Sequence, residues 1–317
     1  MPTSEPATRE YTTMNRGHHS LHECRTADEF RSRFEATIGH SLEQVVDKVV
    51  ASSAPRAVFA AGSIVLGMGS SGSDVDLIVL VDDKSALVND AGHSANNARA
   101  LEFCSDSELI AGEFLTMYEG VLVDLNVAIA PAIHRLYARL RRRGPELSEA
   151  EVRVLGRLSS GWLLAQTAGY MDRHGAILKD PALAVYCATV HFVSSLHEVS
   201  KAARAVDSRD AALALYHARK SVEGAYLAYF ATEGLLYLGS KWLAQLGYAR
   251  GAAERMERHP LLKQGIPLLF PQYTPDSREV APYLKAAAEF VAAMRGLIEQ
   301  KTLFRIAFNA CPQMHPL

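Results

Sequence analysis

The stretch GSIVLGMGSSGSDVDLIVLV, residues 62–81, sets Asp74 and Asp76 inside an apolar run where a buried strand would take Val or Ile. Burying an unpaired carboxylate costs on the order of several kcal/mol, and two like charges on one face repel each other as well. A bound cation offsets both costs. On a strand, alternate residues share a face, so Asp74 and Asp76 point one way, about 7 Å apart, while Val75 and Leu77 point the other. Such a pair can bracket divalent cations. Mg²⁺ takes few protein carboxylates and fills its remaining positions with water and phosphate oxygens, which suits a nucleoside triphosphate.

Two neighbouring features extend this chemistry. Gly62 and Ser63 end the preceding strand, and glycine offers no side chain to keep phosphate away from the backbone N–H groups and the Ser63 hydroxyl. In VLVDLNVAI, residues 121–129, Val121, Val123, Leu125 and Val127 share one face, leaving Asp124 on the other with Leu122 and Asn126. Asp124 beside the Asp74/Asp76 strand completes a three-carboxylate site for two Mg²⁺ ions, with Mn²⁺ as an alternative. A metal pair of this kind clamps the attacking and leaving oxygens of an in-line displacement at phosphorus.

These residues need a small sheet to hold them. Helical spacing of Phe30, Phe34, Ile38, Leu42, Val45, Val46 and Val49 predicts one amphipathic helix over residues 28–51. AVFAAGS (57–63) reads as a short buried strand, GMGSSGS as a turn, and DVDLIVLVDD as a second strand closed by Asp82 and Asp83 as strand-end caps. Residues 84–100 read as loop plus a short helix, and residues 113–129 as a hairpin turning at Glu119-Gly120. Beyond residue 130 no strand pattern is visible. Pro131 to Gly144 reads as a helix, Ser148-x-x-Glu151 as a capping box, and residues 181–206, 208–232 and 279–301 as further helices, with a shorter one near 240–250. The expected class is α+β: a small mixed sheet over 28–130, an all-α bundle over 131–317, and residues 1–27 as a flexible lead-in.

Composition narrows the function classes. Apolar residues make up 49% of the 317 residues and charged residues 21%, a globular balance. With 33 basic against 35 acidic side chains, net charge does not drive binding to nucleic acid. No apolar run reaches the roughly 18 residues of a membrane span, so a membrane partner is not expected. Cys24, Cys104, Cys187 and Cys311 form no close pair, which fits a reducing, cytoplasmic compartment. His18, His19, His22 and Cys24 match no standard zinc spacing, and the adjacent histidines read as solvated tail residues.

Gly62-Ser63, ten residues, Asp74-x-Asp76 and the later apolar-Asp-apolar strand at Asp124 together resemble the signature of the nucleotidyltransferase superfamily that includes DNA polymerase beta and the aminoglycoside nucleotidyltransferases. The resemblance spans residues 57–128. It implies transfer of a nucleoside monophosphate, AMP from ATP being preferred, to an acceptor with release of pyrophosphate. Asp74, Asp76 and Asp124 would be the catalytic and metal-holding residues, and Gly62, Ser63 and Ser73 would bind nucleotide. The turn lacks the arginine that many resistance-type members carry there, leaving triphosphate to backbone amides and to lysines from elsewhere.

The helical half fits the resemblance too, since small-molecule members follow the catalytic domain with a bundle that shapes the acceptor pocket. Lys241-Trp242 resembles a Lys-Trp element of such bundles, which places Lys241 with the nucleotide-binding candidates. Arg219, Glu223 and Tyr226 fall on one helix face, with Glu223 a candidate acceptor base; the competing reading is an i,i+4 ion pair on a solvated face. The near-neutral charge favours a small hydroxylated acceptor over nucleic acid. Two alternatives stay open: a non-catalytic nucleotide- or partner-binding member, and a protein- or RNA-modifying enzyme. A homodimer is compatible with either.

Overall fold

The computed structural model describes residues 18–70, 72–88, 99–102, 107–141, 147–236, 243, 260–270 and 277–300. Contacts divide the chain into two compact units, the first built from residues up to 106 with 110–128 and 162–167, the second from 107–109, 129–161 and 168 onward.

The first unit is a six-stranded sheet in the order β3-β4-β5-β2-β1-β6 with short helices. Its strands are β1 (Ala57–Ala61), β2 (Val75–Val81), β3 (Arg99–Glu102), β4 (Ile110–Tyr118), β5 (Val121–Ile129) and β6 (Trp162–Gln166). Every side chain of β1 and β2 is buried, so these central strands read as near-continuous apolar runs, interrupted only by Asp76. β1 runs antiparallel to β2, pairing Ala61 with Asp76. The β4–β5 hairpin turns at Glu119 and Gly120, both at positive φ (45° and 83°), the backbone that a two-residue primed turn demands.

The expected flexible lead-in is folded where it is described: His18–Glu23 form a 3-10 helix, and Leu21 and Cys24 are buried. The first helix then divides in two. α1 (Ala27–Ile38) stops at Gly39, which adopts the left-handed conformation (φ 69°), and α2 (Leu42–Val46) restarts from a capping box between Ser41 and Gln44. The apolar positions are buried on both sides of the break: Phe30, Phe34 and Ile38 in α1, Leu42, Val45 and Val46 in α2. Trp162–Gln166 breaks the expected all-helical pattern beyond residue 130. Helix α5 (Glu149–Ser160), opened by the expected Ser148/Glu151 box, ends at an extended Gly161, and the next five residues pair with β1 as an edge strand. A four-residue apolar run, Trp162–Ala165, carries no periodicity that separates strand from helix. Trp162 sits edge-on to Phe30, which stacks on Phe34.

In the second unit, α4 (Ala130–Arg141) and α5 accompany a short α6 (Tyr170–His174) and the long pair α7 (Pro181–Asp207) and α8 (Ala211–Thr232), followed by α9 (Pro260–Leu269) and α10 (Ser277–Glu299). α7 starts with Pro181 after the capping carboxylate of Asp180. α7 and α8 make the most extensive contact of the unit. They close up at Gly224, where a Cβ would lie 3.0 Å from the His191 carbonyl, and Ser195 donates a buried hydrogen bond to the Ser221 carbonyl at 2.6 Å. By length and composition alone, the segment Tyr170–Asp207 suffices to cross a bilayer, although no consecutive run in the sequence showed it. The expected helix near 240–250 lies outside the described residues, Leu243 apart.

Candidate active site

The three aspartates converge. Each offers a carboxylate oxygen, and these oxygens lie within 4.8 Å of one another. Asp76 is buried at 4% exposure, whereas Asp74 and Asp124 are half-buried. β2 and β5 are neighbours in the sheet, so the alternation that puts Asp76 and Asp124 on one face brings them side by side, and Asp74 joins from the residue before β2. Oxygens around Mg²⁺ stand at 2.0–2.1 Å from the ion, hence about 3–4 Å from each other. An all-oxygen donor set is what a hard divalent cation takes, and 4.8 Å is the outer limit of the separation here.

The end of β1 is shaped around this cluster. Gly62 has φ +72°, and a Cβ there would meet Asp76 Oδ2 at 1.7 Å and Asp76 Cγ at 2.6 Å. No other residue type fits. Gly62 and Ser63 do not close the strand as expected: β1 stops at Ala61, and they begin a single helical turn, α3 (Gly62–Val65). Ser63 is 3% exposed, and its Oγ has no hydrogen-bond partner among the described residues. A buried hydroxyl without a partner costs about 1–3 kcal/mol, a cost that a ligand oxygen would remove. In the loop that follows, the Ser73 hydroxyl accepts from the Ser70 N–H at 2.8 Å and lies 3.3 Å from the Ser70 hydroxyl, fixing the turn ahead of Asp74.

The next aspartates along the chain do different work. Asp82 is ion-paired with Arg56, which holds its carboxyl below the usual range, and Asp83 accepts from the Ser85 N–H at 2.8 Å. Both are the strand-end groups expected.

One residue of the site carried no role in the sequence reading. Asn126, 1% exposed, donates from Nδ2 to Asp124 Oδ1 at 2.9 Å. The signal was present, a polar residue on the Asp124 face, but alternation alone does not say which neighbour it serves.

The bundle candidates fare differently. Glu223 belongs to the second unit, where it is buried and paired with Lys220 at 3.1 Å, one turn away, rather than with Arg219. It lines a cleft of about 290 Å³ with His191, Ser194, Glu198, Lys201 and His217. There His217 Nδ1 lies 2.6 Å from Glu198, and burial lowers the pKa of His191 against the opposing pull of Glu223. Tyr226 is not part of a polar strip: it is fully buried, and its hydroxyl donates to the Leu262 carbonyl. Lys241 and Trp242 lie outside the described residues.

No protein-family model and no curated protein matches the sequence. Among solved structures, the chain is similar to a nucleotidyltransferase-like protein from Exiguobacterium sibiricum, at 12% identity and a TM-score of 0.44, over 84% of this chain and 79% of that one.

Proposed function

We propose that this protein is a metal-dependent nucleotidyltransferase that moves a nucleoside monophosphate from an NTP, ATP in the preferred reading, to a hydroxyl of a small acceptor, releasing pyrophosphate. The observation that carries the proposal is the convergence of Asp74, Asp76 and Asp124 to within 4.8 Å, beside a glycine that leaves no room for a side chain.

In this reading the three carboxylates hold Mg²⁺, one ion or two. Bound there, the metal supplies positive charge that polarises phosphate oxygens and lowers the pKa of an acceptor hydroxyl. The acceptor oxygen forms a bond to the α-phosphorus, the bond from that phosphorus to the pyrophosphate oxygen breaks, and the hydroxyl proton leaves to a base. Gly62 lets backbone N–H groups come close to phosphate, and the buried Ser63 hydroxyl donates to a phosphate oxygen. Asp76 would be the buried member of the ligand set, and Asp74 and Asp124 the more exposed ones. Lys241 stays a candidate triphosphate contact on the resemblance drawn from sequence, and Glu223 a candidate acceptor base on the polar face it occupies in its helix.

The test is pyrophosphate release from each NTP with Mg²⁺ and a panel of hydroxylated small molecules, in wild type and in Asp74→Asn, Asp76→Asn and Asp124→Asn. Release that all three variants abolish supports the proposal; release that survives Asp76→Asn refutes it.

A further inference from the structure

Asn126 sits on β5 two residues beyond Asp124, on the same face and at 1% exposure. Its register partner on β4 is Glu113, and that of Asp124 is Leu115. A primary amide at such a place is costly. An apolar residue of similar size would fill the space without desolvating polar atoms, and burying an amide is unfavourable unless both its ends are hydrogen-bonded. Only one end is satisfied: Nδ2 donates to Asp124 Oδ1, whereas Oδ1 has no hydrogen-bond partner among the described residues. The orientation follows from charge, since a flipped amide would press its oxygen against the carboxylate. A half-satisfied amide does not hold the sheet together. What it does is bind one carboxylate oxygen and so fix the rotation of the Asp124 carboxyl group about its Cβ–Cγ bond.

We infer that Asn126 is the positioning residue for Asp124, setting the angle at which that carboxylate meets a divalent cation shared with Asp74 and Asp76. The inference rests on the metal-centre reading above and deepens it. Residues that orient metal-binding groups from behind typically change metal affinity 10- to 100-fold when removed.

The test is Mn²⁺ binding, followed by electron paramagnetic resonance on the full chain without nucleotide, so that turnover plays no part. The proteins are wild type, Asn126→Leu, Asp124→Asn, the Asn126→Leu/Asp124→Asn double variant, and Asp76→Asn. Asn126→Leu should bind Mn²⁺ about 10-fold or more weakly, and should cost nothing further in the Asp124→Asn background, because its effect passes through Asp124. Asn126→Ala, which removes the amide without adding bulk, should show the same loss and stands in if the leucine variant does not fold. A merely structural role would lower the melting temperature and leave Mn²⁺ affinity unchanged. Wild-type affinity in a folded Asn126 variant overturns the inference alone, as does a loss that adds in full to that of Asp124→Asn. Absence of Mn²⁺ binding in wild type, or undiminished binding in Asp76→Asn, overturns the metal centre and this inference with it.

Discussion

Gly62 and Asp76 occupy each other's space. The aspartate carboxylate fills the volume where any other residue at position 62 would carry its Cβ, with Oδ2 only 1.7 Å from that point. The backbone of Gly62 is also left-handed at φ +72°, a conformation that costs an ordinary residue about 1–2 kcal/mol. The glycine is therefore required twice, once for its φ and once for the seat of the buried carboxylate.

Gly62→Ala follows directly. The new methyl group must displace the Asp76 side chain, so NTP- and Mg²⁺-dependent stabilisation should vanish while circular dichroism shows the fold retained. Stabilisation equal to wild type would show that the Asp76 position does not matter to ligand binding.

Removing one of the clustered charges should help the metal-free protein. Asp76→Asn relieves repulsion among three carboxylates and lightens the burden of a buried charge. Its melting temperature without metal should rise, by roughly 4 °C for each kcal/mol gained, between the values for smaller and larger domains. In the same variant, Mn²⁺ affinity should fall more than about 100-fold, beyond the range seen for supporting residues. Differential scanning calorimetry with and without EDTA reads both effects.

The second unit has a tight spot of its own at Gly265. A Cβ there would lie 2.5 Å from the Phe290 ring and 2.6 Å from Tyr226 Oη, and that hydroxyl already donates to the Leu262 carbonyl. Gly265→Ala should destabilise by about 1–3 kcal/mol through overpacking, and Tyr226→Phe by about 1 kcal/mol through the lost hydrogen bond. Because the two changes meet at the same hydroxyl, urea titrations of the double variant should show less than the sum.

Acid should loosen the second unit through His191. Burial holds this imidazole below its ordinary pKa, with the Glu223 carboxylate pulling the other way. The unfolded chain takes up a proton near pH 6.5, before the folded one does, so the stabilisation from neutral His191 is complete above that value and is lost as pH falls through it toward the lower folded value. The melting temperature should therefore drop between pH 7.5 and 5.5 more steeply in wild type than in His191→Gln; parallel slopes would remove His191 as the cause.

What was legible in the sequence was legible for local reasons. Alternation along 74–76 and 121–127 placed the three carboxylates on one face, and the Glu119-Gly120 turn and the Ser148/Glu151 box announced themselves by residue type. What escaped was decided at a distance. Trp162–Gln166 becomes a strand because β1 offers an edge, and Gly39 breaks a helix whose apolar spacing runs on unbroken. Tyr226 enters the core because the Leu262 carbonyl lies within its reach, and Glu223 takes Lys220 as its partner across a single turn. Gly62 was read as access for phosphate, but its closest constraint is the aspartate beside it.

The most direct test of the central claim is thermal stability with each of the four NTPs at millimolar concentration and Mg²⁺, in wild type and Asp76→Asn, with and without EDTA. A ligand bound only by the native state stabilises it by RT ln(1 + [L]/Kd), about 2.7 kcal/mol at a hundredfold excess over Kd. A metal-dependent nucleotide site built on Asp76 should give a rise in melting temperature with at least one NTP, abolished by EDTA and by Asp76→Asn. No rise with any NTP, or an equal rise in Asp76→Asn, would contradict it.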